Sequence, residues 1–327
     1  TRGTFVVRRE AEESVDQSRI VKGVEVTRSS IDWLKVANAG VVKPPQERYK
    51  ILKRLGSGAF GNAFLAEYHG ADKKGESEMY VIKKIPVKTL SEVNDTLVEA
   101  NNLSRLRGKK YICEFKEAFF ESTANTRESL KSFLGSMDAG LNFCIVMEYC
   151  PQGTLLDVIK AGANERKGES RNLPPLKIIR WVWQIAQALK SIHNAKLLHR
   201  DLKPSNVFLD QDGNIKVGDF GISKSLNRSN SLTRTFVGTK LYMAPEVAKH
   251  KPYGSACDVW GLGCIMLELM LKNDVNSRVS LDKIDPKLLK HYPQPVVDLL
   301  FGLLEADDEK RLGVDKVISM ADFMLAG

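Results

Sequence analysis

His199-Arg200-Asp201-Leu202-Lys203-Pro204-Ser205-Asn206 is followed by Asp219-Phe220-Gly221 and then by Ala244-Pro245-Glu246. Each piece alone is weak evidence; all three in this order are demanding. Asp201 can accept a proton from a hydroxyl nucleophile, and Asn206 and Asp219 carry oxygen donors that can hold magnesium ions against nucleotide phosphates. Asn206 comes five positions after Asp201 (206 − 201), the spacing of a loop that turns both side chains toward one pocket.

Upstream lies Gly56-Ser57-Gly58-Ala59-Phe60-Gly61. Glycines let backbone amides approach phosphate oxygens without side-chain obstruction. A dinucleotide-binding turn would need a helix straight afterwards. Asn62 to Tyr68 instead continues as strand, which suits a phosphate flap between antiparallel strands. Tyr80-Val81-Ile82-Lys83-Lys84 supplies a strand lysine.

With these motifs the chain resembles the eukaryotic protein kinase family, from roughly Tyr49 to Met324. The resemblance implies a bilobal α+β fold, with a small β-rich lobe at 49–148, a larger helical lobe at 153–324 and an N-terminal extension at 1–48. Periodicity agrees with it. Tyr49 to Leu55, Gly61 to Tyr68, Met79 to Val87, Ile112 to Phe120 and Leu141 to Glu148 read as strands, and Ser91 to Leu106 as a helix. Glu121 to Gly140 reads as a polar insertion. Pro175 opens a helix with Ile178, Val182, Ile185, Leu189 and Ile192 on its apolar face, and Trp181 and Trp183 are packing residues beside it. Cys257 to Leu271 reads as a buried helix. In the extension, Gly3 to Arg8 and Arg19 to Arg28 are β-branched candidate strands. Three readings stay open for that segment: a tail, an arm docked on the small lobe, or the remnant of an upstream domain.

The resemblance also assigns roles. Asp201 is the catalytic base, Asn206 and Asp219 bind Mg²⁺, and Lys83 and Lys203 neutralise phosphate charge. Glu99 partners Lys83, with Glu92 as its rival nearer the helix start. Gly56, Ser57, Gly58, Ala59, Phe60 and Gly61 cover the ATP phosphates. Ala63 and Val81 roof the adenine, Phe208 floors it, Met147 guards its back, and backbone groups of Glu148 and Cys150 bind its edge. Thr154 lies where the ribose is contacted. Ala63 stands where the family has valine and Val81 where it has alanine, a volume-conserving exchange. Lys203 and Thr239 indicate a Ser/Thr acceptor. Thr235, four residues before Thr239, is the expected activation-loop phosphosite, paired by Arg200. Asp258 accepts backbone hydrogen bonds beneath the catalytic loop, and Glu246 and Arg311 form a buried ion pair. His199, Phe220 and Leu103 form a packed column. His193 reads as a plain helix-end residue.

Bulk properties bound partners and location. The chain has 327 residues, a net charge of +9 and 27% charged residues. Its basic residues are scattered, so a solvated surface is favoured over nucleic-acid binding. No apolar run reaches the roughly 18 residues of a membrane span. Five cysteines without metal-ligand spacing suggest reduced thiols in the cytoplasm.

The expectation is therefore a serine/threonine protein kinase using ATP and Mg²⁺ on protein substrates. Asp219 to Lys224 and Thr235 to Thr239 look most similar to NIMA-related (NEK) kinases, which implies a cytoplasmic, cytoskeleton-associated or nuclear enzyme. An upstream kinase or autophosphorylation would activate it; the oligomeric state is open. The alternative is a pseudokinase scaffold, whose usual signature is loss of the lysine, catalytic aspartate or metal aspartate, all present here.

Overall fold

The computed structural model describes residues 4–7, 48–58, 61–69, 78–122, 141–163, 173–218, 242–271, 284 and 286–327. The chain divides into two compact units. One comprises Thr1–Arg107 and Glu114–Tyr149, the other Gly108–Cys113 and Cys150–Gly327.

The first unit is built on a six-stranded antiparallel sheet, with β1 (Thr4–Val7), β2 (Tyr49–Gly58), β3 (Gly61–Tyr68), β4 (Glu78–Val87), β5 (Phe115–Ser122) and β6 (Leu141–Glu148) in the order β1-β5-β6-β4-β3-β2. Helix α1 (Leu90–Arg105) follows β4. Alternation along each strand divides the side chains between two faces. One face carries Ala66, Ile82, Cys144, Val146 and Phe119, all buried, with Tyr49 among them and Tyr68 and Tyr80 packed against the cluster. Beside the tyrosines, Glu117 accepts hydrogen bonds from Arg48 at 2.9 Å and from the Tyr49 hydroxyl at 2.7 Å. The other face carries Ala63, Leu65, Val81, Lys83, Ile145 and Met147, as the strand registers require.

Edge strand β2 is bulged twice, between Ile51 and Lys53 and between Arg54 and Gly56. Its Lys50, Lys53 and Arg54 are exposed. Bulges and charges of this kind blunt an edge against further pairing. The opposite edge is held by β1, whose Thr4–Val7 pairs with Glu121 to Ala118 of β5. That pairing supports the docked-arm reading for the start of the extension; Arg19 to Arg28 lies outside the described residues.

One expected boundary is corrected. The strand read at Ile112 to Phe120 begins at Phe115. Ile112 instead bridges Val217 in the second unit, because residues 111–113 exchange backbone hydrogen bonds with that strand.

The second unit is mainly helical, with α2 (Leu155–Ala163), α3 (Pro175–Asn194), α4 (Pro245–Ala248), α5 (Ala256–Leu271), α6 (Gln294–Leu303) and α7 (Val314–Ala326). A short hairpin, β7 (Val207–Leu209) and β8 (Ile215–Val217), sits between α3 and α4 in sequence. Helix α3 buries Ile178, Val182, Ile185, Leu189 and Ile192. Helix α5 is buried without interruption from Asp258 to Met270, as its nearly all-apolar sequence requires. Gln184 of α3 fastens the hairpin. Its amide nitrogen donates to Asn214 Oδ1, and its carbonyl accepts from the Ile215 N–H, both at 2.9 Å. Trp181 adds a bond from Nε1 to the Gly213 carbonyl at 3.0 Å.

Candidate functional site

In the first unit, β2 and β3 form the hairpin of the glycine-rich segment, with Gly56 opposite Ala63 and Gly58 opposite Gly61. Ala59 and Phe60, at its tip, lie outside the described residues. Gly61 has φ +135°, and a Cβ built there would stand 2.0 Å from the Lys84 carbonyl oxygen. Only glycine fits, because β4 passes directly behind it.

Lys83 and Lys84 diverge at the next strand. Lys84 donates to both carboxylate oxygens of Glu121, at 2.8 and 2.7 Å, on the tyrosine-bearing face. Lys83 belongs to the opposite face, in register with Ala63 and Ile145 and two positions from Val81. The structure thus brings the two expected adenine-roof residues and the expected phosphate lysine onto one sheet face. Met147, opposite Val81, joins them.

The rivalry between Glu92 and Glu99 acquires a physical basis. Thr89 N-caps α1 by accepting the Glu92 N–H at 3.2 Å, and Glu92 Oε2 accepts the N–H groups of Lys88 and Thr89 at 2.6 and 3.2 Å. This is a capping box, and it engages the Glu92 carboxylate. Glu99, two turns further along α1, is buried. At Glu148, one of the residues expected at the adenine edge, the backbone N–H donates to the Glu114 carbonyl at 2.9 Å.

The second unit holds the loop read as catalytic. Lys203 Nζ donates to Asp201 Oδ2 at 2.8 Å. Asn206 Nδ2 donates to the Asp201 carbonyl at 2.8 Å and to Asp201 Oδ2 at 3.1 Å. The three side chains therefore meet around one carboxylate. With its amide nitrogen donating twice to Asp201, Asn206 keeps Oδ1 as an acceptor, which takes the Ser205 hydroxyl at a long 3.4 Å. An amide oxygen beside the Asp201 carboxylate supplies hard oxygen donors of the kind Mg²⁺ takes. Asp219, Phe220, Thr235 and Thr239 lie outside the described residues.

A buried acid supports this loop from below. Asp258 Oδ1 accepts the Arg200 N–H at 2.8 Å, and Oδ2 accepts the His199 N–H at 3.0 Å. Burial alone would raise the Asp258 pKa. Its hydrogen bonds from His193, His199 and Arg200 outweigh that and hold the carboxyl below its ordinary range. They also fix Arg200 at φ +65°, a left-handed conformation that a non-glycine residue adopts only when its surroundings impose it. The Arg200 guanidinium lies 6.0 Å from the Tyr253 ring centre.

His193 corrects the sequence reading. It is more than a helix-end residue, because its Nε2 lies 2.8 Å from Asp258 Oδ2. The only signal was its distance of six residues from His199, which carries no geometric meaning until α3 and α5 are packed together.

The remaining expected residues take these positions. Phe208 lies on β7, and its ring would be 3.0 Å from a Cβ built on Gly218. Thr154 caps α2, donating its hydroxyl to Asp157 Oδ2 at 2.7 Å. Cys150 is buried and its carbonyl accepts the Gly153 N–H. Glu246 and Arg311 are bidentate at 2.8 and 2.9 Å, and Arg311 stacks 5.1 Å from the Trp260 ring centre. His199 and Leu103 are each buried within their own unit. Among the described residues no helix is long and apolar enough to cross a membrane.

Residues 49–323 match the family model described as a protein kinase domain. Mouse serine/threonine-protein kinase Nek1 is 31% identical over 282 residues, covering 83% of this chain and 21% of that protein. Rice Nek6 is 36% identical over 228 residues, covering 68% of this chain and 36% of its own length. Human Nek11 is 32% identical over 284 residues, covering 84% and 40% respectively. Thus the chain spans between 21% and 40% of the length of these curated relatives.

Proposed function

This chain belongs to the protein kinase family, and from that premise we propose that it is a Nek-like enzyme transferring the γ-phosphoryl group of ATP to Ser or Thr hydroxyls of proteins. The observation that carries the reading is the Asp201 carboxylate, met by Lys203 at 2.8 Å and Asn206 at 3.1 Å on a loop tied to buried Asp258.

In the reaction, the acceptor oxygen forms a bond to the γ-phosphorus as the bond to the β-phosphate oxygen breaks. ADP leaves with that electron pair, and the hydroxyl proton passes to Asp201. Lys203, already beside Asp201, neutralises charge on the moving phosphoryl group. Lys83 grips the α and β phosphates, and its partner is Glu99, since a buried carboxylate needs a cation and Glu92 caps its own helix. Asn206 and Asp219 would hold Mg²⁺, which supplies charge neutralisation at the phosphates. The work is mostly positional and electrostatic. Phosphorylation of Thr235 would raise activity by giving Arg200 an anionic partner. The cysteines are all free, which fits a reducing, cytoplasmic or nuclear location.

Radiolabelled ATP with a generic protein acceptor tests the assignment. Asp201→Asn and Asp219→Ala should each reduce transfer by roughly 10²-fold or more. Equal signals from wild type and both variants would reject it.

A further inference from the structure

Residues 108–113 leave the first unit after α1 and belong to the second. Their anchorage is specific. The Val217 N–H donates to the Tyr111 carbonyl and the Cys113 N–H to the Val217 carbonyl, each at 2.8 Å, and Ile112 bridges Val217 in parallel. This strap therefore adds a third strand's worth of pairing to β8, immediately before Gly218.

Tyr111 is an unexpected residue for that place. It has φ +62°, in the left-handed region where glycine or asparagine is at ease and a bulky side chain is not. Its carbonyl is held by Val217, and its ring stands edge-on to Trp183 of α3 with centres 5.7 Å apart and planes at 70°. Edge-to-face geometry at this separation is favourable beyond simple burial. Trp183 Nε1 is buried with no hydrogen-bond partner among the described residues, so the indole is seated by packing.

Gly218 takes the consequence. A Cβ there would stand 3.2 Å from Cys113 Cβ and 3.0 Å from the Phe208 ring, so the backbone is wedged between the strap and the hairpin. Its N–H donates to the Asn206 carbonyl at 3.0 Å, and its carbonyl lies 3.1 Å from His199 Nε2. Gly218 is thus joined to one metal-binding candidate, Asn206, and precedes the other, Asp219.

We propose that Tyr111, latched by Trp183, is a positioning residue that fixes Val217 and Gly218 and, through the Gly218–Asn206 hydrogen bond, the Asn206 backbone, and so sets the affinity for magnesium. It touches neither nucleotide nor acceptor; it acts through Val217 and Gly218. The magnesium part rests on the kinase reading above, whereas the backbone part does not.

Two measurements on the full chain separate these layers. Hydrogen exchange should show the Cys113, Val217 and Gly218 amides opening roughly tenfold faster in Tyr111→Ala, Tyr111→Gly and Trp183→Leu, with α5 protection unchanged. Tyr111→Phe keeps the ring and should match wild type. In phosphotransfer assays the first three variants should need roughly tenfold more magnesium for half-maximal rate, with the KM for acceptor protein unchanged.

Tyr111→Gly is the decisive variant, because it removes the ring while suiting the left-handed backbone. If Tyr111→Gly exchanges and titrates like wild type, the latch is overturned. Should wild type transfer no phosphate at all, the kinase reading falls, and exchange at Val217 and Gly218 still decides the latch.

Discussion

His193 Nε2 and the Asp258 carboxylate are 2.8 Å apart, and the Asp258 oxygen concerned also takes the His199 amide at 3.0 Å. His193 thereby stabilises an acid that has no other side-chain donor of comparable geometry among the described residues. Loss of the imidazole leaves a fully buried carboxylate with one fewer hydrogen bond. We expect His193→Leu to lower kcat roughly tenfold or more with little change in KM for ATP. His193→Gln, which returns an N–H near the same place, should recover most of the rate. Steady-state kinetics on both variants checks this, and equal impairment would count against it.

Glu246 and Arg311 give a pH-dependent stability. Burial alone would raise the Glu246 pKa, but the hydrogen bonds from Arg311 outweigh it and the folded value is lowered from 4.5. A depressed carboxylate contributes stability that is fully present above about pH 4.5 and is lost as pH falls through the folded value. Arg311→Met should cost roughly 3–5 kcal/mol at neutral pH, because Glu246 is left buried and unpaired. In denaturant melts the gap between the two proteins should narrow as pH falls from 7 toward the folded value of Glu246, which lies below 4.5.

The two acidic residues of α1 should respond differently. Glu92→Ala removes one half of a capping box and should destabilise by about 1 kcal/mol while leaving kcat/KM close to wild type. Glu99→Gln should keep the helix and lower kcat/KM by roughly tenfold or more, through a loosened Lys83. Thermal melts combined with kinetics distinguish the pair, and a reversed pattern would rule out Glu99 as the lysine's partner.

Gly61 tolerates no side chain. With a Cβ 2.0 Å from the Lys84 carbonyl, Gly61→Ala must push β3 from β4. We expect a loss of about 2 kcal/mol or more, from strain at an incompatible backbone angle together with overpacking. Exchange at the β3–β4 amides should rise together with the stability loss.

Ala63 and Val81 lie on one sheet face, two residues apart through the Ala63–Lys83 and Leu65–Val81 register pairs. A volume exchange between them predicts that Ala63→Val alone weakens ATP binding severalfold. Adding Val81→Ala should restore it. Nucleotide titration of the single and double variants checks the coupling, and unchanged affinity in Ala63→Val would dismiss it.

Local pattern made much of this legible. The strands of the first unit and the helix after Pro175 follow from periodicities of two and 3.6, and the apolar face of α3 appears at the positions the spacing requires. The Asp201, Lys203 and Asn206 cluster was readable because all three lie within six consecutive residues and must share a loop. His193 was not readable, because its partner lies 65 positions away on another helix. Nor was the pairing of Lys84 with Glu121, which depends on which sheet face carries that acid. The strand start at Phe115 was misjudged for a related reason. Ile112 and Cys113 are apolar enough for a strand, and only their bonds to Val217 show which sheet they extend.

The first four-residue strand carries a practical warning. Thr4–Val7 satisfies the outer backbone groups of β5. A truncated protein starting at Arg48 would bare a row of unpaired amides and carbonyls along Phe119 and Phe120, an invitation to self-association. Poor yield or turbidity from such a shortened version would then report a missing neighbour rather than an unstable kinase.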